Sequence, residues 1–449
     1  MDYKVTKVGK IPAHWNVEKI DSLKSKEKHA IAMGPFGSRI KKENFIEFGV
    51  PIIRGNNLKR FNFDESEFVY VSEEKAEELK SSIVKKGDLV ITHRGTLGQV
   101  GIIPENSKFE KYIVSQSGMK LTCDSSKVNN DFLYYYLNSR MGQYHLLMNK
   151  SQVGVPAIAQ ASTSLKKIPV PLPPLNEQLA IVKVLNMINE KINVVIKEIQ
   201  ILEEMSQALF KHWFIDFEFP NEAGQPYKSS GGDMVESELG RIPKGWSIKK
   251  LGELTSKFCT GLNPRKNFVL GEGNNYYVTI KNMGENNVYL NDKCDKVTDE
   301  AIKIINKRSD LKKGDLLFSG IGTIGRTYLI PEDPINWNIS ESIFTIRPVE
   351  SISSEYLYQL MLSEKIQNYC KQLASGSVQK GIRKSDLVKY SLALSHNELE
   401  KEYTKIIKPM IRQIQSLNEE NIKLQDLRNT LLPQLLSGRI DISDELVVD

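Results

Sequence analysis

The feature that most limits how this chain can fold is that it is written twice. VGKIPAHWNVEKI, Val8 to Ile20, aligns with LGRIPKGWSIKKL, Leu239 to Leu251, matching Gly9 with Gly240, Pro12 with Pro243 and Trp15 with Trp246. KKGDLVITHRGTLGQVGIIPE from Lys85 aligns without a gap with KKGDLLFSGIGTIGRTYLIPE from Lys312. FLYYYLNS from Phe132 then meets YLYQLMLS from Tyr356, and LPPLNEQ from Leu172 meets LSHNELE from Leu394, in the same order. Such self-similarity predicts two copies of one domain plan, so each local motif must be weighed against its twin.

Each copy reads as a β-rich body, a short helix and then a long helix. The first long helix is expected after Pro173-Pro174, with Asn176 as N-cap and Glu177 favourably placed at the positive end of the helix dipole. The second starts at Ser395-His396-Asn397-Glu398, which fits a capping box. Ile181, Leu185, Ile188, Ile192, Val195, Ile199, Leu202, Leu209 and Trp213 follow alternating three- and four-residue steps, a coiled-coil seam in which only Ser206 is out of character. Tyr403, Ile406, Met410, Ile414, Leu417, Leu424, Leu427, Leu431 and Leu435 make a rougher seam, with Asn421 in the stripe and Pro409 expected to kink or loosen the first turns. A helix of roughly 40 residues spans about 60 Å and needs a partner, for which its own repeat copy is the natural choice. EFPNEAGQPYKSSGGDMVESE, Glu218 to Glu238, reads as an exposed linker.

With 40% hydrophobic and 26% charged residues the chain is expected to be globular. Its net charge of +6 makes an acidic polymer a plausible partner. Cys123, Cys259, Cys294 and Cys370 are far apart and without histidines at zinc-ligand spacing, which predicts reduced core thiols and no metal. MDYKVTKVGKIPAHW has no apolar signal core, and no uninterrupted apolar run is long enough for a membrane span, so a cytoplasmic location is expected.

DLLFSGIGTIG, Asp315 to Gly325, resembles a strand running into the G-x-G-x-x-G dinucleotide fingerprint. That fingerprint needs a helix after the glycines, and here RTYLIPEDP follows. The first copy reads His93-Arg94-Gly95-Thr96-Leu97-Gly98, with His93 where Gly320 stands. The shared element is G-T-x-G, a tight turn between strands, with the varying residues before it a place where the copies could differ. No cofactor is expected. A methyltransferase motif of the Asp/Asn-Pro-Pro-aromatic type is absent, since Pro173-Pro174 is followed by Leu175. Nor do the carboxylates cluster with a lysine as in a nuclease.

Several blocks together resemble the specificity (S) subunit of type I restriction-modification systems: GPFGSRIKKENF with PIIRGNN, KKGDLVITHRGTLG, IPVPLPPLNEQ, ALFKHWFIDFEFP with ESELGRIPKGW, and LLPQLLSG. The resemblance covers essentially the whole chain. It implies a mixed α+β fold: two α/β target-recognition domains in tandem, separated by two long antiparallel coiled-coil helices with a pseudo-two-fold relation. On that plan residues 1–175 form the first recognition domain, 176–217 the first spacer helix, 218–238 the linker, 239–394 the second recognition domain, 395–437 the second helix and 438–449 a tail. The implied subunit is non-catalytic and binds double-stranded DNA, each domain reading one half of a bipartite asymmetric target. Its helices would dock two modification subunits, which methylate adenine using S-adenosylmethionine, and the assembly would recruit ATP-dependent restriction subunits. The alternatives are a specificity subunit of a related bipartite methylase-nuclease outside type I, and a coiled-coil scaffold that binds no DNA.

Candidate DNA contacts in the first body are Arg39, Lys41, Lys42, Arg54, Asn56, Asn57, Lys59, Arg60, His93 and Arg94. In the second they are Arg265, Lys266, Lys281, Asn282, Arg326, Gln379, Lys380, Arg383 and Lys384. Arginine suits the acceptor pair of guanine and Asn or Gln the acceptor and donor of adenine, while lysine mostly neutralises phosphate. Gly376-Ser377-Val378-Gln379-Lys380-Gly381 and its looser partner Gln152-Val153-Gly154-Val155-Pro156 read as polar loops of these domains. Trp15 and Trp246 read as anchoring core aromatics. Phe210, Trp213, Phe214 and Phe217 suit either spacer packing or a docking surface.

Overall fold

The computed structural model describes residues 2–151, 154–376, 380–440 and 442. The chain divides into two compact units, residues 1–193 with 423–449 and residues 194–422. Each unit thus holds one body together with segments of both long helices, which run Leu175–Phe210 and Asn397–Leu435.

Two four-stranded sheets make up the middle of the first body. Strands β1 Ile31–Met33, β2 Val50–Ile53, β3 Val69–Val71, β4 Ile83–Lys85, β5 Leu89–Thr92, β6 Val100–Ile102, β7 Lys111–Val114 and β8 Gly118–Leu121 follow in chain order. One sheet has the order β6-β5-β8-β1, all antiparallel; the other is β3-β2-β7-β4, with only β2 and β7 parallel. All four residues of β5 are buried because alternate side chains face different cores. Leu89 and Ile91 meet Phe132, Leu133 and Tyr136 of the helix Asn130–Asn138, whereas Val90 meets Ile53, Val84 and Val114 of the other sheet.

The second body repeats this plan with one strand fewer, having no described counterpart of β4. Its strands are β9 Thr255–Thr260, β10 Asn275–Val278, β11 Asp295–Val297, β12 Leu316–Ser319, β13 Thr327–Leu329, β14 Trp337–Ile339 and β15 Ile343–Pro348. The sheet β9-β15-β12-β13 is antiparallel, and in β11-β10-β14 the pair β10 and β14 is parallel. Leu316 and Phe318 face the helix Ser354–Leu362 while Leu317 meets Val278 and Ile339, the same alternation as in β5. Each body is closed by an early strand paired with the segment just before a long helix: Asn16–Lys19 with Pro169–Leu172, and Ser247–Lys250 with Ser391–Leu394.

Within the first unit, Ile181, Val182 and Leu185 near the start of one long helix share a core with Leu432 and Leu435 at the end of the other. Within the second, Phe210, Trp213 and Phe214 at the end of the first helix share a core with Leu399, Tyr403, Ile407 and Ile411 at the start of the second. Start meets end in both, the antiparallel sense that the family resemblance implies. Trp15 is buried and donates from Nε1 to Glu177 Oε2 at 2.8 Å, tying the first body to the first turn of its helix. Trp246 is buried against Phe219. Both tryptophans are anchors.

Several local expectations change. The first long helix starts at Leu175, one residue before the expected cap Asn176, and the Pro174 carbonyl accepts from the Gln178 N–H at 3.0 Å. At the second start His396 Nδ1, not Ser395, accepts from the Leu399 N–H at 3.4 Å. That helix runs unbroken through Pro409, which is exposed. Its buried stripe there is Tyr403, Ile407 and Ile411 rather than Ile406 and Met410, and Ile406 is exposed. The supposed linker is partly folded: Phe219 stacks on Tyr227 at 4.5 Å, and Met234–Val235 pairs with Ile242–Pro243 as Tyr3–Thr6 pairs with Gly9–Pro12. Phe210, Trp213 and Phe214 are buried in the core of their unit, and Phe217 is half-buried against it. Cys294 and Cys370 are buried, Cys123 and Cys259 half-buried, and all four are free thiols. Among the described residues no helix is long and apolar enough to cross a membrane.

Candidate nucleic-acid interface

The loops at one end of each body are stitched together by backbone hydrogen bonds, and most of the candidate residues lie on or beside them. The G-T-x-G element is a strand-to-strand turn in both copies. Thr92 Oγ1 donates to Thr96 O at 2.6 Å and accepts from the Gln99 N–H at 2.9 Å; Ser319 Oγ does the same with Thr323 O at 2.6 Å and the Arg326 N–H at 2.8 Å. Gly95, Gly98, Gly322 and Gly325 have φ of 78°, 77°, 78° and 97°, the left-handed region that favours glycine. An antiparallel strand follows each turn, not a helix, so no dinucleotide cradle exists here.

The second polar loop docks on this turn. In the first unit Gly95 N donates to Pro156 O at 2.9 Å and Ile158 N to His93 O at 2.9 Å; in the second Gly322 N donates to Lys380 O at 2.8 Å and Ile382 N to Gly320 O at 2.9 Å. Gln379, with Gln152, Val153, Ser377 and Val378, lies outside the described residues.

A third loop is the short 3-10 turn after β2 or β10. Asn57 is 1% exposed; its Oδ1 accepts from the Arg54 N–H at 2.9 Å, and its Nδ2 donates to Asp64 O and Glu67 O at 3.0 and 2.8 Å. Asn282 is 4% exposed and accepts from the Thr279 N–H at 3.0 Å. The two asparagines expected at the bases instead hold their turns together, as side-chain mimics of a backbone turn. Asn56 and Lys281 beside them are exposed. Gln99 Nε2 donates to Gly55 O at 2.9 Å and Leu58 O at 3.1 Å, and its counterpart Arg326 donates from Nη1 to Ile280 O at 3.4 Å and Met283 O at 2.5 Å. Arg326 is thereby committed, in part, to bracing its own domain.

His93 is also placed differently from its expectation. It is 4% exposed, and burial pushes its imidazole pKa down against the partial opposition of the Gln116 backbone. It therefore lies as a neutral ring within the loop cluster, beside Phe36 at 6.4 Å, rather than facing solvent. Where it stands the second copy has Gly320, whose Cβ would come within 2.7 Å of the Phe344 ring.

The remaining candidates are exposed: Arg39, Lys41, Lys42, Arg54, Asn56, Lys59, Arg60 and Arg94 in the first unit, and Arg265, Lys266, Lys281, Lys380, Arg383 and Lys384 in the second. Asn56, Lys59 and Arg60 line a cavity of about 790 Å³ with Arg140, and no carboxylate contributes to its wall. Arg140, at the start of the helix Arg140–Leu147, is a cation that sequence reasoning passed over. Lys59 pairs with Asp64 at 2.5 Å and, chiefly through that bond, holds the Asp64 carboxyl at about 2. Arg60 lies 4.9 Å from the Phe61 ring and Lys384 5.7 Å from the Phe258 ring. Arg39, Lys41 and Lys42 share their loop with the exposed apolar residues Phe36, Phe45, Ile46 and Phe48. Exposed cations clustered about a cavity wall without carboxylates suit a polyanion better than a small neutral metabolite.

The model for the type I restriction modification DNA specificity domain matches residues 33–204 and again residues 243–426. The specificity subunit of the type I restriction enzyme MjaIX from Methanocaldococcus jannaschii is 23% identical, covering 99% of this chain and 97% of that protein. The HindI specificity subunit from Haemophilus influenzae is 24% identical over 80% of this chain and 87% of that protein. The solved type I restriction-modification S subunit from M. genitalium shares the fold, with a TM-score of 0.56 and 17% identity over 96% of this chain and 97% of that one. With the same domain matched once in each body, the chain belongs to the specificity (S) subunits of type I restriction-modification systems.

Proposed function

We propose that each body, residues 1–175 and 239–394, reads one half of a bipartite, asymmetric DNA sequence. The observation that carries this reading is the duplicated loop cluster: one backbone scaffold, built twice, presents different exposed side chains. Lysines on the rims would neutralise phosphates and fix register, while arginines and amides at the loop tips would reach base edges. Two modest half-site affinities on one chain multiply through effective concentration.

The long helices are the docking elements for two modification subunits in this reading. The first of them exposes Leu179 and Met187 in the first unit and Val194, Ile201 and Met205 in the second. Within the second unit, at 100° per residue, Val194, Ile201 and Met205 fall on one side, away from the buried Val195 and Ile199. Apolar residues left on a helix side in this way suit a protein partner. The partner would carry the adenine chemistry and its S-adenosylmethionine, ATP-dependent restriction subunits would join the same assembly, and this chain would supply recognition.

The test is a mobility-shift titration of this chain bound to its modification subunit, from low to high salt, on specific and scrambled duplexes. Affinity should fall with salt at a log-log slope near −0.9 per phosphate contacted, and should depend on sequence. Binding that ignores both salt and sequence would overturn the reading.

A further inference from the structure

Between β7 and β8 in the first body, and between β14 and β15 in the second, lies a turn that no motif singled out. It reads Ser115-Gln116-Ser117-Gly118 in one copy and Ser340-Glu341-Ser342-Ile343 in the other. The two turns are built alike. Ser115 N donates to Ile53 O at 3.0 Å and Gly118 N to Ser115 O at 2.9 Å; Ser340 N donates to Val278 O at 2.8 Å and Ile343 N to Ser340 O at 3.2 Å. The flanking hydroxyls meet across each turn, Ser115 with Ser117 at 3.1 Å and Ser340 with Ser342 at 2.7 Å.

Each turn is also clamped from the neighbouring strand end by a glycine. Gly34 N donates to Gly118 O at 2.9 Å, and Gly261 N to Ile343 O at 3.3 Å. A Cβ on Gly34 would lie 1.9 Å from Ser115 O, and one on Gly261 2.0 Å from Ile339 O, so only glycine permits this approach. The turn also bonds to the G-T-x-G loop, through His93 N to Ser117 O at 2.8 Å and Gly320 N to Ser342 O at 2.9 Å. Its tip is therefore a rigid mount within the loop cluster, and the residue mounted there is exposed in both copies.

That residue is Gln116 in one body and Glu341 in the other. The Gln116 carboxamide makes no hydrogen bond among the described residues. Among the described residues the Glu341 carboxylate accepts a hydrogen bond only from the Tyr277 hydroxyl, at 3.2 Å, and that hydroxyl already donates to Leu262 O at 2.8 Å. Both side chains are thus left with their hydrogen-bonding capacity directed outward. Their chemistry differs: a carboxamide donates and accepts, matching the acceptor and donor of an adenine edge, whereas a carboxylate only accepts, matching the amino group of cytosine. A carboxylate set against a polyanion is repelled unless it meets such a donor, so its place at this tip calls for an explanation.

We propose that Gln116 and Glu341 are paired specificity-determining residues, Gln116 reading an adenine in one half-site and Glu341 a cytosine in the other. The assignment rests on each body reading one half of the target. Its test is long-read mapping of methylated sites for the full complex carrying Gln116→Glu, Glu341→Gln, Gln116→Ala or Glu341→Ala, with competition by duplexes altered one base at a time. Gln116→Glu should move the preference at one position of one half-site from adenine toward cytosine, and Glu341→Gln should do the reverse in the other half. The alanine variants, which add no charge, should lose roughly tenfold to hundredfold discrimination at those same single positions. Unchanged preference at every position in all four variants would overturn the assignment while leaving two-domain DNA reading intact. A wild-type complex without sequence-specific methylation would overturn that reading and the assignment with it.

Discussion

Asp88 and Asp315 occupy the same place in the two copies, each opening the central strand of its body, and their surroundings are opposite. Both accept a backbone N–H from three residues earlier, Lys85 at 2.9 Å and Lys312 at 2.8 Å. Asp315, fully buried, also takes a two-pronged contact from Arg347, with Nε at 2.6 Å and Nη2 at 2.8 Å. Among the described residues no cation bonds Asp88: the nearby Lys120 ammonium donates instead to Ile83 O at 2.8 Å. Burial accordingly raises the Asp88 pKa above its ordinary 3.8, while the Asp315 carboxylate raises that of Arg347. A backbone plan can be copied while its buried charges are solved differently in each copy, and side chains that face outward are under still less constraint.

The elements shared by both copies should respond alike, and most strongly. Gly34→Ala and Gly261→Ala each force a Cβ into a backbone carbonyl, and each should cost about 3 kcal/mol, the upper end of overpacking penalties, as read by urea unfolding. If one copy tolerated the change, the two turns would not be equivalent mounts.

Buried charge should then separate the copies. Asp315→Asn strands Arg347 and should cost about 2 kcal/mol, below the roughly 3–5 kcal/mol of a fully buried pair because Arg347 keeps a quarter of its side chain exposed. Asp88→Asn should be neutral or stabilising at pH 7, since an amide oxygen can still accept the Lys85 N–H. A carboxyl whose folded pKa is raised contributes stability that is complete below its ordinary 3.8 and is lost as pH rises through the raised value. The benefit of Asp88→Asn should therefore vanish when unfolding is followed down to about pH 4. A loss at pH 7 equal to that of Asp315→Asn would mean that the two carboxylates are held in the same way after all.

The smallest effects are expected on the rims. Lys41→Ala and Lys266→Ala each remove one exposed cation, which should lower the salt slope of DNA binding by about 1 and leave base preference unchanged. A change in preferred sequence would move that lysine from phosphate neutralisation to base reading.

Much of the architecture was legible because the repeat carries it: matched blocks predicted matched sheets, and Lys85 and Lys312 do begin equivalent segments. The seam of the first long helix was legible too, since Ile181, Leu185, Ile192, Val195 and Ile199 are buried. The second seam slipped by one residue where Ile406-Ile407 and Met410-Ile411 offer two apolar neighbours. Periodicity cannot choose between such neighbours; the aromatic cluster of Phe210, Phe214 and Tyr403 does. At the candidate interface, Asn57 and Asn282 were singled out by residue type, yet each closes its own turn by accepting the backbone N–H three residues before it, a contact that any residue but proline at 54 or 279 could make. Gln116 and Glu341 gave no signal of their own, because only the pairing of β7 with β2 in one sheet and of β8 with β5 in the other brings their turn to the loop cluster.

The central claim is that one chain holds two independent readers. Its most direct test replaces residues 1–175 with the first domain of another specificity subunit and maps methylated adenines genome-wide by long-read sequencing. The account predicts that one half-site changes and the other keeps its sequence. A change in both halves, or in neither, would contradict it.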